Sequence, residues 1–136
     1  MNTQGIIENY YQFLKERNRE GLLMLLSPEI EIIYHANNSR LPWAGEYRGI
    51  EGFDKFLDTI KTHLDIVEVT VLDRIYGERK AVMQCQGTWK RKSTQGLIKG
   101  GMVNVFTIAD QLITKYEVYA DTAAFEAGMF ESPMEV

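Results

Sequence analysis

Nearly everything from Ile66 to Ala120 reads as extended chain, and that block limits what the rest can fold into. Ile66 to Tyr76 is rich in Val and Ile, Gly77-Glu78-Arg79 supplies a turn, and Lys80 to Lys92 supplies a partner strand. A tip, Ser93-Thr94-Gln95-Gly96, leads to a third long strand around Gly101 to Ile108. Ala109-Asp110-Gln111 then turns the chain into a fourth, Leu112 to Ala120. Strands of about ten residues lie at the long end of the usual range, so such a sheet must twist strongly or curl. A curled meander has a concave face, and that face needs helices to cover it.

The N-terminal half supplies them. From Thr3 to Arg17, Ile6, Ile7, Tyr10, Phe13 and Leu14 recur at helical spacing, opposite Glu8, Lys15 and Glu16. Asn18 reads as the cap of a second short helix, Arg19 to about Leu26, which Pro28 ends. Glu29 to His35 alternates as a strand and runs into a polar loop, Ala36-Asn37-Asn38-Ser39. The stretch Leu41 to Gly49 is expected to be irregular, because Pro42 fixes its own φ and Gly45 and Gly49 permit angles closed to other residues. It carries Trp43 and Tyr47. A third helix follows, with Ile50, Phe53, Phe56, Leu57, Ile60 and Leu64 on its apolar face. After the last strand, Asp121 can cap a final short helix through Ala123, Ala124 and Phe125 that Gly128 ends. This order predicts an α+β fold, a curved antiparallel β-sheet wrapped around helices as an α+β roll with a conical cavity.

A chain of 136 residues fits one domain, 1–136, with 45% hydrophobic and 25% charged residues as in ordinary soluble proteins. The net charge of −4 argues against a nucleic-acid partner. A single cysteine, Cys85, leaves no intrachain disulfide and fits a reducing, cytoplasmic setting. The first residues lack a basic region followed by an apolar core, and no apolar run is long enough to span a membrane, so neither a signal peptide nor a membrane partner is expected. His35, His63 and Cys85 show no metal-ligand spacing with one another, so no metal and no cofactor are expected.

Strand alternation sorts the candidate residues. On the strand from Lys80, Met83, Cys85 and Trp89 share the face that suits the cavity, while Gln84, Gln86 and Thr88 face outward. Tyr116, Val118 and Ala120 make the better concave set on the last strand, with Lys115, Glu117, Tyr119 and Asp121 opposite. Trp43, Tyr47, Phe53, Cys85, Trp89, Phe106, Tyr116 and Val118 are the expected ligand-binding residues, though Trp89 can equally seal the core and Cys85 reads as an inert thiol. Tyr10 and Tyr34 can donate hydrogen bonds to a substrate oxygen, or be core residues with satisfied hydroxyls. His35 can shuttle a proton near neutral pH, but if Ile32 and Tyr34 point inward, alternation points it away. The basic group Lys90-Arg91-Lys92 with Lys99 reads as a solvated hairpin end.

Trp43-Ala44-Gly45-Glu46-Tyr47-Arg48-Gly49 before the third helix, and Tyr119-Ala120-Asp121-Thr122 after the last strand, sit in an element order that resembles a known family. It is similar to the nuclear-transport-factor-2-like superfamily, in its SnoaL-like and ketosteroid-isomerase-like branch. The resemblance implies a cystatin-like α+β roll around a pocket. It places Tyr10 where the isomerases carry an oxyanion-donating tyrosine, Tyr34 with neighbouring His35 where they carry an aspartate base, and Asn104 where they carry a protonated aspartate. Val118 falls where the cyclases carry an acid. It thus offers Tyr10, Tyr34, His35 and Asn104 as catalytic candidates and puts Asn104 and Phe106 on the concave face.

The expected function is a small-molecule pocket for an apolar or aromatic, oxygen-bearing ligand. It is either a cofactor-independent isomerase, cyclase or hydratase, or a non-catalytic binding or accessory protein with the same cavity. The outward face bearing Gln84, Gln86, Thr88, Glu117 and Tyr119 suits a homodimer, which the resemblance also implies.

Overall fold

A computed structural model describes residues 1–36 and 39–130, so the centre of the expected polar loop, Asn37 and Asn38, lies outside the described residues. The chain runs α1 (Thr3–Glu16), α2 (Arg19–Leu25), β1 (Leu26–His35), β2 (Gly45–Arg48) and α3 (Gly49–His63). It continues with β3 (Leu64–Tyr76), β4 (Lys80–Arg91), β5 (Leu97–Ala109), β6 (Leu112–Ala120) and α4 (Thr122–Phe130). The six strands form one sheet in the order β2-β1-β6-β5-β4-β3, open at both edges. The β3-to-β6 meander is antiparallel as the turn signals predict. The sheet as a whole is mixed, because β1 lies parallel to β6, with Ile32 beside Tyr116 and Tyr34 beside Val118. No helix is long and apolar enough to cross a membrane.

Local chemistry sets the element ends. Asn2 accepts from the Gly5 amide at 2.8 Å and Asn18 from the Gly21 amide at 2.9 Å, capping α1 and α2. Asp121 accepts from the Ala124 amide at 3.1 Å and caps α4. Pro28 does not end α2, which stops at Leu25. It lies inside β1, where the pairing with β6 breaks between Leu26 and Glu31, which suits a residue with no N–H to give.

Two expectations need correction. The stretch ahead of α3 contains a strand, since Gly45 and Gly49 take φ of 123° and 72° and so bracket a short extended run that pairs with β1. Gly128 does not end α4 but sits within it, against Ile98 of β5. Its missing Cβ lets the helix lie down on the sheet.

The core fills the concave side of the sheet. Trp43, Phe53 and Phe106 are at most 1% exposed, and Ile30, Ile32, Met83, Trp89 and Val118 are buried with them. On β3, single-residue bulges at Val67 and Leu72 carry Val69 and Val71 onto the inner face, opposite Gly87 and Cys85. The helices cover β3 only in part, and Ile66, Leu72 and Ile75 remain exposed.

Candidate functional site

Cross-strand register aligns the inner-face residues in rows. One row runs Tyr34, Val118, Asn104, Met83 and Arg74, from β1 through β6, β5 and β4 to β3. The next runs Ile32, Tyr116, Phe106, Ala81 and Tyr76. α1 lies across both. The Tyr10 ring meets Phe106 edge-on with centroids 5.1 Å apart, and Phe106 in turn stacks on Tyr116 at 4.9 Å.

Asn104 is the polar residue of this interior, 3% exposed. Its Nδ2 donates to the Tyr11 hydroxyl at 3.0 Å, and its Oδ1 has no hydrogen-bond partner among the described residues.

Burial dominates the acidity of these groups. It raises Tyr10, Tyr11 and Tyr116 far enough that all three remain hydroxyl donors at any ordinary pH. Tyr34 is pushed up to about 12 by burial, against a hydrogen bond with Trp43 that lowers it. Burial likewise raises the Cys85 thiol above its ordinary range.

A cleft of 210 Å³ opens beside this row between α1 and β3, with Tyr11, Val71, Tyr76 and Met83 as walls and Glu8, Lys15 and Arg74 among its charged groups. A larger and more open groove of 890 Å³ lies at the start of α1, between the Gly77-Glu78-Arg79 and Asp110-Gln111 turns. Polar groups there already engage one another. Thr3 donates to the Glu78 carbonyl at 2.6 Å, and the terminal amine of Met1 to Gln111 at 3.1 Å. The smaller cleft has the Tyr76 hydroxyl in its wall, buried and without a hydrogen-bond partner among the described residues, and is the better candidate site.

The sequence-expected residues divide into three groups. Tyr10, Asn104, Cys85, Phe106, Tyr116 and Val118 do meet on the concave face. Trp43, Tyr47, Phe53, Trp89 and Tyr34 lie on the same side but in packed core: Trp43 and Trp89 both touch the Phe125 ring, at 6.2 and 4.9 Å. No residue of either group lines the cleft or the groove. His35 falls on the opposite face, its Nε2 2.9 Å from Glu117 and its ring stacked on Tyr119 at 4.2 Å. Tyr11, Val71, Arg74 and Tyr76 were not foreseen. The signal for Tyr11 was adjacency to Tyr10, and the bulges hid Val71.

Glu117, 9% exposed, is the buried carboxylate of the described residues, and it faces outward. Burial pushes its pKa up, but hydrogen bonds from His35 and Tyr119 and the charge of Lys115 outweigh this and hold it below its ordinary value of 4.5. A lowered folded-state value stabilises the fold above the unfolded value and is lost as pH falls through the folded one. Thermal stability should therefore drop on acidification below the ordinary carboxyl range, and less steeply in Glu117→Gln. Equal acid slopes for the two proteins would refute this role. Among the described residues, no group of three or more His, Cys, Asp or Glu is placed to hold a metal ion.

No protein-family model matches the sequence, and no curated protein matches it closely. Solved structures match over nearly the whole chain. A nuclear-transport-factor-2-like protein from Burkholderia thailandensis superposes with a TM-score of 0.84 at 14% identity, over 95% of this chain and 98% of that one. TerC, co-crystallised with polyporic acid, gives 0.77 at 22% identity over 92% and 95%. A protein with a ketosteroid-isomerase-like fold from Catenulispora acidiphila, in complex with trimethylamine, gives 0.73 at 12% over 91% of each chain. The likeness at such identities is one of fold, and the fold of this chain is nuclear-transport-factor-2-like.

Proposed function

We propose that this chain holds a small, mostly apolar molecule bearing an oxygen function in the cleft beneath Tyr11, and that it binds rather than turns over its ligand. The observation that carries this reading is the Tyr76 hydroxyl, buried in the wall of that cleft without a hydrogen-bond partner among the described residues. Leaving a buried hydroxyl unsatisfied costs about 1–3 kcal/mol, which a polar group of a ligand recovers. The volume of 210 Å³ suits a ligand of one ring or a short chain, since a cavity of ~150 Å³ accommodates benzene. Structural relatives crystallised with polyporic acid and with trimethylamine support small-molecule binding on this fold.

An isomerase, cyclase or hydratase needs a group that takes a proton. Around Asn104 the described residues offer hydroxyls and a thiol, all raised by burial, and the buried carboxylate Glu117 lies on the far face. Titration of simple phenols and cyclic ketones, followed by calorimetry, tests the reading. Wild type should bind at least one, and Tyr76→Phe should weaken it about tenfold. Unchanged affinity in that variant would refute the site. Incorporation of deuterium next to the carbonyl of a bound ketone would replace binding with catalysis.

We also propose that a second copy of this chain covers the outer sheet face. Ile33, Val82, Val103 and Val105 are half-buried there around Glu117, and Tyr119 is 47% exposed. Five strands at ~4.8 Å spacing and nine-residue length make a face of ~700 Å², near the ~800 Å² per partner of a stable interface. Sedimentation at micromolar concentration should give a dimer that Val105→Arg with Tyr119→Arg splits. A wild-type species of one chain's mass would remove the proposal.

A further inference from the structure

We infer that β3 is a docking edge for an extended segment of another protein, one in which apolar residues alternate with lysine or arginine. β3 ends the sheet and runs for 13 residues, whereas β2 at the other edge has 4. Among the described residues, no main-chain group between Asp65 and Ile75 has a backbone partner outside the sheet, and the Arg74 amide turns to the Asp73 carboxylate at 2.9 Å. Free main-chain groups along such an edge are a template for one more strand. Ile66, Val67, Val69, Leu72 and Ile75 on the same strand are 36–67% exposed, five of the ten exposed large hydrophobic residues among those described. Their clustering on one edge, instead of scattering over the surface, marks a contact surface.

Side-chain parity fixes the chemistry of the partner. Pairing with β4 sets Ile66 and Val69 on the inner face, opposite Trp89 and Gly87. It sets Glu68, Thr70 and Asp73 on the outer face, opposite Thr88, Gln86 and Gln84. Among the described residues neither Glu68 nor Asp73 forms an ion pair, and the β4 residues facing them are neutral. The edge therefore offers a next strand an apolar inner side and an acidic outer side. A segment that alternates apolar and cationic residues meets both at once, since successive side chains of a strand point to opposite faces. A second copy of β3 does not. In the antiparallel register centred on Thr70, which keeps inner residues beside inner ones, Glu68 of each copy falls beside Asp73 of the other, and like charges there repel. Bulges at Val67 and Leu72 bend the strand on either side of residues 68–71, so the partner contributes one short strand of about five residues. The free main-chain groups point sideways out of the sheet, so a second copy seated on the outer face leaves them open.

Fluorescence anisotropy with labelled seven-residue peptides and the full chain tests the docking. The probe alternates lysine and valine. One control has the same residues in two blocks, and another carries N-methylated valines, which cannot donate to the edge. The alternating peptide should bind about tenfold more tightly than either control, although all three carry the same charge. Glu68→Lys with Asp73→Lys, at two exposed positions, should weaken it about tenfold and leave the melting temperature within a few degrees of wild type. Equal binding of the three peptides would mean bare charge attraction and would overturn the strand pairing, as would unaltered affinity in the charge-reversed variant. Failure of the alternating peptide to bind at millimolar concentration would remove the docking edge altogether. Sedimentation of wild type as assemblies larger than a dimer, dispersed by the peptide, would give the edge to a second copy and overturn the choice of partner.

Discussion

Trp43→Ala should lower the unfolding free energy by about 3–5 kcal/mol, the range for removing a fully buried large aromatic. The indole is 1% exposed and is enclosed by Tyr34, His63 and Phe125, with ring centroids 6.2–6.3 Å away. Its loss leaves a void that a β-strand on one side and a helix on the other cannot close. The Trp43 carbonyl accepts from Tyr47 at 2.8 Å, and this backbone bond survives the substitution. The variant should therefore remain folded but weak, with a lower urea midpoint at an unchanged slope. A change under 1 kcal/mol would show that the indole is not core. Lost ligand affinity at an unaltered midpoint would restore the sequence-level expectation that Trp43 lines a pocket.

Gly87→Ala should cost about 2–3 kcal/mol, a large effect for adding one methyl group. Gly87 and Trp89 are two residues apart on the inner face of β4, and the indole folds back over the glycine. A Cβ at position 87 would meet the six-membered part of that ring, with Cζ3 at 2.8 Å and Cζ2 at 3.0 Å. Trp89 cannot retreat, because its ring packs on Phe125 of α4 with centroids 4.9 Å apart and it is only 5% exposed. The conflict should be specific to the pair. Trp89→Leu should cost less in the Gly87→Ala background than in wild type, by more than ~0.5 kcal/mol, which is the mark of direct coupling. Additive costs would mean that the glycine serves backbone flexibility instead.

The sequence alone determined what depends on neighbours a few residues apart. The caps at Asn18 and Asp121 were readable because an Asx side chain reaches only the first turn of its own helix. The inward set Met83, Cys85 and Trp89 was readable because side chains alternate strictly along an unbroken strand. The turns at Gly77-Glu78-Arg79 and Asp110-Gln111 fixed the antiparallel meander for the same local reason.

Tertiary structure decided the rest. Nothing in β1 states that Tyr34 will lie beside Val118 in parallel register, since that pairing is chosen by the whole sheet. Gly45 and Gly49 looked like breakers, and only the free edge of β1 makes the four residues from Gly45 to Arg48 a strand. Two bulges in β3 carry Val71 to the cleft, and strict alternation read along the chain does not reveal where such a bulge falls. Tyr10 and Tyr11 are adjacent on one helix, and the curl of the sheet beneath them sends the first into the core and the second to Asn104. The aromatic side chains on the concave face looked like a cavity wall, but Trp43, Trp89 and Phe125 close on one another there. Residue type can say that a large ring will be buried; whether other protein atoms or a ligand bury it depends on the distance between elements, which only the folded chain sets.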